Sequence, residues 1–359
     1  MRALYAEALS RVVMVACTVI RVILLKTVIL DANEFNNIEL CSGVLQNGGL
    51  VAFPTETVYG LGANALDESA VAGIFSAKGR QEDNPLIVHV ASPDDVKPLV
   101  VKIPNAFEPL VKEYWPGPLT LVMLKNSIIP DNVTAGLDTV AVRMPEHPAA
   151  LSLIRAFGGP IAAPSANPSG KPSPTKAKHV LSDLGGKIPY ILDGGDCKVG
   201  LESTVLDITG EIPKILRPGS ITYDQLKSVL GAVDIAAIDA VEKPASPGMK
   251  YRHYAPKAPL TAVIGLPDKT AEYIAARVSS DSAALMFDEF ALSHPNVVSF
   301  GNSNDFAEQA SRLFDALRKI DDMNVSSIYA QIPQEDGLGF AVANRLKKAA
   351  GSNIVDLSE

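Results

Sequence analysis

The chain contains no CxxC pair, no HExxH, no GxxxxGK[ST] and no GxSxG. These absences exclude, in turn, a paired-cysteine metal or redox site, a helix-borne zinc site, a Walker-type phosphate cradle and a hydrolase nucleophile elbow. Cysteine is scarce: Cys17, Cys41 and Cys197 are far apart and odd in number, so no disulfide framework is available and the expected compartment is reducing, the cytoplasm. Five histidines without paired spacing give no expectation of a protein-built metal site. The net charge of −8 argues against wholesale wrapping of nucleic acid and leaves room only for a local basic cleft. Long apolar runs are also few. Residues 12–20 form one, after Arg2 and Arg11, but Arg21 and Lys26 interrupt it before the roughly 20 residues a membrane span needs, and no A-x-A site follows. We read residues 1–23 as an N-terminal extension of open role, with targeting as the competing reading, and expect no membrane association.

What is present is an ordinary globular composition, 47% hydrophobic and 20% charged over 359 residues. That length suits about two domains of roughly 150 residues each. The most organised stretch is 50–91: an apolar strand at 50–53, a polar glycine-rich turn, a helix opening at Asp67, a charged loop and a second strand at 86–90. The pattern predicts a β-α-β unit. Val71, Ile74 and Phe75 share the helix's apolar face, and Gly79 can take the left-handed backbone that ends it, between Lys78 and Arg80.

Across 24–240, strands alternate with helices, beginning with a strand at 24–29 and a helix at 35–46. Hairpin-like pairs such as ESTVLDI and PKILRPG alternate with crossovers. A mixed, twisted sheet with helices is therefore expected rather than a doubly wound parallel one. Residues 241–259 are rich in proline, cations and tyrosine and read as a linker that also contacts something. From 260 to 359, regular strand–helix alternation predicts a small Rossmann-like α/β domain. Its Gly337-Leu338-Gly339 could bind an anion, but a helix-start turn is the simpler reading.

Candidate chemistry rests on loops. Gly60 to Ala65 matches GxGxxA, yet 54–59 intervene between strand and glycine, which a dinucleotide fingerprint does not allow. Lys78 and Arg80 follow a helix, Arg143 sits in the alternating strand 139–144, Ser165, Asn167, Ser169 and Ser173 crowd one proline-rich loop, Ser203 and Thr204 precede a strand, and Arg217 precedes a Pro-Gly turn. Taken alone, Lys78 and Arg80 compensate a helix dipole, worth roughly 0.3–1 kcal/mol each. A unit charge about 4 Å from a phosphate, at an effective dielectric near 20, is worth about 4 kcal/mol. Several cations with short hydroxyl donors are what a triphosphate pocket without a P-loop requires.

PTETVYGLG, SAKGRQEDNPLIVHV, APSANPSG, ESTV, LRPG and SPGMKYRHYAP, in this order, resemble the threonylcarbamoyl-AMP synthase family of the longer, two-domain type with a YrdC-like domain. The family's K-x-R and S-x-N motifs are matched by Lys78, Arg80, Ser165 and Asn167. The resemblance implies an enzyme that condenses L-threonine, bicarbonate and ATP, with Mg²⁺ accompanying the nucleotide, into threonylcarbamoyl-AMP and pyrophosphate. A partner transferase then modifies tRNA. It further implies that Arg80, Asn84, Thr139, Ser165, Asn167, Ser173 and Arg217 hold ATP, that Lys78 and Arg80 serve the chemistry, and that Thr57, His89, Arg143, Ala163 (through its backbone) and Ser203 hold threonine. The linker becomes a strap over the site, with Tyr251 its best candidate for an ATP contact ahead of Tyr254. For His89, a satisfied core histidine is the competing reading. Two other functions compete. One is a non-catalytic RNA-binding module making weak RNA contact, which the acidic net charge disfavours. The other is carbamoyl transfer from carbamoyl phosphate, which the missing cysteine spacing disfavours.

Overall fold

The computed structural model describes residues 26–236 and 253–358. The N-terminal extension, Tyr251 and most of the linker lie outside these described residues. The first sheet has eleven strands: β1 (Val28–Asp31), β2 (Val51–Phe53), β3 (Gly60–Asn64), β4 (Ile87–His89), β5 (Leu119–Leu124), β6 (Thr139–Arg143), β7 (Ile161–Ala163), β8 (Tyr190–Asp193), β9 (Thr204–Asp207), β10 (Lys214–Arg217) and β11 (Asp234–Ile235). Their order is β1-β8-β2-β3-β7-β4-β6-β5-β9-β10-β11. Parallel pairs such as β4–β6 sit beside antiparallel ones such as β3–β7 and β9–β10, so the sheet is mixed, as expected. The predicted strand 24–29 lies partly outside the described residues; within them the first strand runs from Val28 to Asp31.

Both faces of this sheet are covered, because its strands alternate buried apolar side chains. Ala52, Leu61 and Val88 join Val71, Ile74 and Phe75 of the helix Glu68–Lys78 in one core. Val51, Phe53 and Ile161 face the other way, toward Ile38, Cys41 and Leu45 of helix Phe35–Gln46 and Leu153 and Ile154 of helix Pro148–Phe157.

The stretch 50–91 departs from the expected β-α-β unit. Its glycine-rich segment is strand β3, antiparallel to β2 with Phe53 opposite Gly60, and β4 pairs with β6 and β7 instead of β2. Here glycine serves close packing, not a turn. A Cβ on Gly62 would lie 2.8 Å from Ile161 and from the Phe53 ring.

The second sheet is wholly parallel, β14-β13-β15-β12-β16, from β12 (Leu260–Ile264), β13 (Ser282–Met286), β14 (Val297–Ser299), β15 (Ser327–Gln331) and β16 (Ile354–Asp356). Helices Phe306–Asp321 and Gly337–Ala350 pack one face and Pro267–Ala275 the other. Gly337 and Gly339 open the first turn of their helix. The core under Phe314 and Leu346 also takes in Val58 and Leu201 of the first domain. The domains are further joined where Arg318 donates to Asp183 at 2.6 Å and to the Pro172 carbonyl at 2.5 Å.

Candidate active site

The site forms where parallel β4 and β6 end side by side, with His89 and Arg143 in register. β7 runs antiparallel to β4 and sets Ala163 opposite Ile87. One pocket is lined by Thr57, Lys78, Arg80, His89, Arg143, Ala163, Ser165, Asn167, Ser173, Ser203 and Arg217, together with Glu202, His253 and Tyr254. Residues spread from position 57 to position 254 thus meet in one concavity.

Lys78 reaches it because the helix stops there. Asp67 caps the start by accepting from the Ser69 and Ala70 amides, and Gly79, at φ 61°, ends the helix. The Lys78 ammonium, 3% exposed, donates to the carbonyls of Ser165 and Asn167. Burial, and then the neighbouring Arg80 charge, hold its pKa well below the usual lysine value. A solvated dipole-compensating side chain would show neither feature. Arg80 donates from Nε and Nη2 to the Asn84 carbonyl at 3.2 and 3.1 Å and to the Pro85 carbonyl at 3.0 Å, and burial lowers its pKa to about 10, so it stays charged at neutral pH.

On the opposite side Arg143 donates from Nη1 to Thr57 Oγ1 at 2.9 Å and from Nε to the Gly117 carbonyl at 3.2 Å. Its Nη2 pairs with Glu56 at 2.6 Å. His89 is buried, with Nδ1 3.1 Å from the Ile87 carbonyl and its ring edge-on to Phe53. Burial and the Arg143 charge push it down to about 3, so it is neutral at physiological pH. The Arg217 guanidinium donates to the Ser203 carbonyl at 3.1 and 2.9 Å and to its hydroxyl at 3.1 Å. Ser173 donates to Glu202 Oε1 at 2.5 Å.

Two predicted residues stand back from the lining. The Asn84 side chain is buried, and its Oδ1 has no hydrogen-bond partner. Thr139 is half-buried at the far end of β6, and the β4–β6 register continued two residues back sets it beside Pro85. Four lining or supporting residues were not anticipated as such: Glu56, Glu202, His253 and Arg345. Both glutamates lie inside the quoted motifs, and their signal was electrostatic, since several buried cations require carboxylates nearby. Tyr254, ranked below Tyr251, is the tyrosine seen at the pocket, stacked on Phe314 at 5.4 Å in a left-handed backbone conformation (φ 64°). Among the described residues no group of three or more His, Cys, Asp or Glu side chains is arranged to hold a metal ion, and no helix is long and apolar enough to cross a membrane.

Comparison with known proteins gives this geometry a context. A family model described as "Telomere recombination" matches residues 43–219, and one described as "Threonylcarbamoyl-AMP synthase, C-terminal domain" matches 221–351. The threonylcarbamoyl-AMP synthase of Pyrococcus abyssi is 48% identical over 325 residues, covering 89% of this chain and 95% of that protein. The Bacillus subtilis enzyme of the same name is 48% identical over 321 residues, covering 88% and 93%. The crystal structure of P. abyssi Sua5 complexed with L-threonine superposes with a TM-score of 0.87 at 45% identity, covering 92% of this chain and 99% of that one. With its two sheets, its cation-lined pocket and relatives matched over nearly their whole length, the chain belongs to the threonylcarbamoyl-AMP synthase family of enzymes.

Proposed function

We propose that this chain condenses L-threonine, bicarbonate and ATP into threonylcarbamoyl-AMP with release of pyrophosphate, working in the cytoplasm and passing its product to a tRNA-acting transferase. The observation that carries the reading is the convergence of four buried or partly buried cations, Lys78, Arg80, Arg143 and Arg217, on one pocket edged by serine and threonine hydroxyls.

Threonine fits the end of the pocket built by Thr57, His89, Arg143, Ala163 and Ser203. Arg143, held by Glu56 and Gly117, offers a fixed guanidinium to the amino acid's carboxylate. Neutral His89 adds no second cation there, which leaves the substrate amine free of a repelling charge. The triphosphate suits the other wall, where Lys78, Arg80 and Arg217 stand near Ser165 and Asn167, while Ser173 lies on the nucleotide side of the same pocket. Asn84 and Thr139 extend it past Pro85 toward the rim.

The chemistry asks for no enzyme nucleophile. The threonine amine attacks carbon dioxide with loss of a proton, or bicarbonate with loss of water, to form a carbamate, whose oxygen attacks the α-phosphorus as the bond to pyrophosphate breaks. Catalysis then consists of holding the two substrates in line and neutralising charge on the departing group. Lys78 organises the serine loop through two carbonyls, and an ammonium has a third N–H to offer a phosphate oxygen. Mg²⁺ enters on the nucleotide. The pocket's carboxylate, Glu202, has one oxygen on Ser173 and the other on Arg345, which favours phosphate oxygens as the cation's ligands. Tyr251 stays the strap's proposed ATP contact.

Incubation with ATP while threonine and bicarbonate are omitted in turn tests the reading. Pyrophosphate release should require both; release indifferent to either omission overturns it.

A further inference from the structure

A side chain from the second domain closes a hydrogen-bond chain that begins in the pocket. Arg345 lies on the helix Gly337–Ala350 and is fully buried. Its Nε donates to Glu202 Oε2 at 2.9 Å and its Nη1 to the Pro218 carbonyl, next to Arg217, at 2.8 Å. Its guanidinium stands 5.6 Å from the centre of the Tyr254 ring. The other Glu202 oxygen takes the Ser173 hydroxyl. Chain positions 173, 202 and 345 are therefore linked in one line across the domain boundary.

The polarity of that line follows from charge. A carboxylate as buried as Glu202 stays ionised only beside a cation, and Arg345 is the cation bonded to it. Burial alone would raise its pKa, yet Arg345 and then Arg217 leave it below the ordinary value. An ionised carboxylate carries no proton, so the hydroxyl proton of Ser173 points at Glu202 and only lone pairs face the pocket. Ser173 is then a poor partner for a phosphate oxygen and a good one for an N–H or O–H donor, such as a ribose hydroxyl or the adenine amino group.

We propose that Arg345 is a positioning residue of the nucleotide site, fixing Ser173 through Glu202 as an acceptor for a donor group of the nucleoside. This rests on the ATP reading above. It gives the second domain a part in substrate recognition.

The test uses the full-length chain and the substitutions Arg345→Met, Arg345→Lys, Ser173→Ala and the Ser173→Ala/Arg345→Met pair. Arg345→Met should raise KM for ATP about tenfold and leave KM for threonine within about twofold, with Arg345→Lys recovering most of the loss. Because Arg345 acts through Ser173, the double variant should be no worse than Ser173→Ala alone. Wild type should reject one of 2′-deoxy-ATP, 3′-deoxy-ATP and inosine triphosphate by about tenfold in kcat/KM, and Ser173→Ala should lose that preference. Multiplied losses in the double variant, KM values that rise alike for both substrates, or no analogue preference overturn the proposal. If Arg345→Met does not fold, Glu202→Gln replaces it in the same comparison. Calorimetric binding of ATP alone reads the same Arg345 effect, so a wild type that binds ATP but does not condense it counts against the activity and not against this link.

Discussion

Arg143 Nη2 stands 2.6 Å from Glu56 Oε1, and only 4% of either side chain reaches solvent. In so dry a place the pair holds because each charge cancels the other's desolvation cost, and removing one partner strands the other. Glu56→Ala should therefore destabilise the protein by about 3–5 kcal/mol in urea titrations and also raise KM for threonine, since Arg143 loses the group that aims it. An unchanged KM for threonine in the folded fraction would separate Arg143 from the amino acid.

Lys78 combines two opposed terms. Its ammonium satisfies the Ser165 and Asn167 carbonyls, worth about 1–3 kcal/mol each if left bare, but it is itself a charge held out of water at a cost of similar size. Lys78→Met should thus change stability by less than about 2 kcal/mol while lowering kcat by about a hundredfold, the scale of losing one charge-stabilising donor. Steady-state kinetics beside chemical denaturation decides it. A variant that loses stability and keeps its rate would return Lys78 to a purely structural role.

Much of this site was legible because its local rules are strong. The Asp67 cap and the left-handed Gly79 place Lys78 at a helix end from sequence alone, and strict alternation in 139–144 puts Arg143 in a strand. Strand β3 was not legible: Gly60, Leu61 and Gly62 read locally as a turn, and what makes them a strand is the ring of Phe53 and the Ile161 side chain pressing on them from far along the chain. Arg345 was invisible for the same reason. On its helix it is one cation among Lys347 and Lys348, and only docking against the first domain buries it beside Glu202. Features fixed within a turn or two could be read; features made by tertiary approach could not.

Two buried histidines, His89 and His253, contribute to acid sensitivity. His89 titrates near 3, lowered by burial and Arg143, and His253 near 4, lowered by burial and Arg80. Below the unfolded value of about 6.5 the unfolded chain takes up protons that the folded chain refuses, so stability falls as pH drops from about 6.5 toward each folded value. Each group contributes a slope of about 1.4 kcal/mol per pH unit in that window. His89→Gln should flatten the stability curve between pH 6.5 and 4.5 by about one such slope, measured by urea midpoints at each pH. A curve parallel to wild type would mean that His89 is protonated in the folded state.

His253 and Tyr254 line the pocket. The empty space they border amounts to about 710 Å³ when its open mouth is counted. Among the described residues they are held by the Tyr254 stack on Phe314, the burial of that ring in the second domain's core, the Arg345 guanidinium near it, and a bond from the Ala255 amide to the Gly170 carbonyl at 2.8 Å. Against these stands the left-handed backbone of Tyr254, which a non-glycine residue adopts at a cost of about 1–3 kcal/mol. Residues 253 and 254 border the space ATP would enter, and the strained Tyr254 lowers the cost of displacing them. Amide exchange at Ala255 should accelerate when ATP is added without threonine, while exchange in β4 and β6 stays slow. Tyr254→Gly, which removes both the ring and the strain, should speed ATP association. Exchange at Ala255 that is blind to ATP would mean that the nucleotide enters by another route.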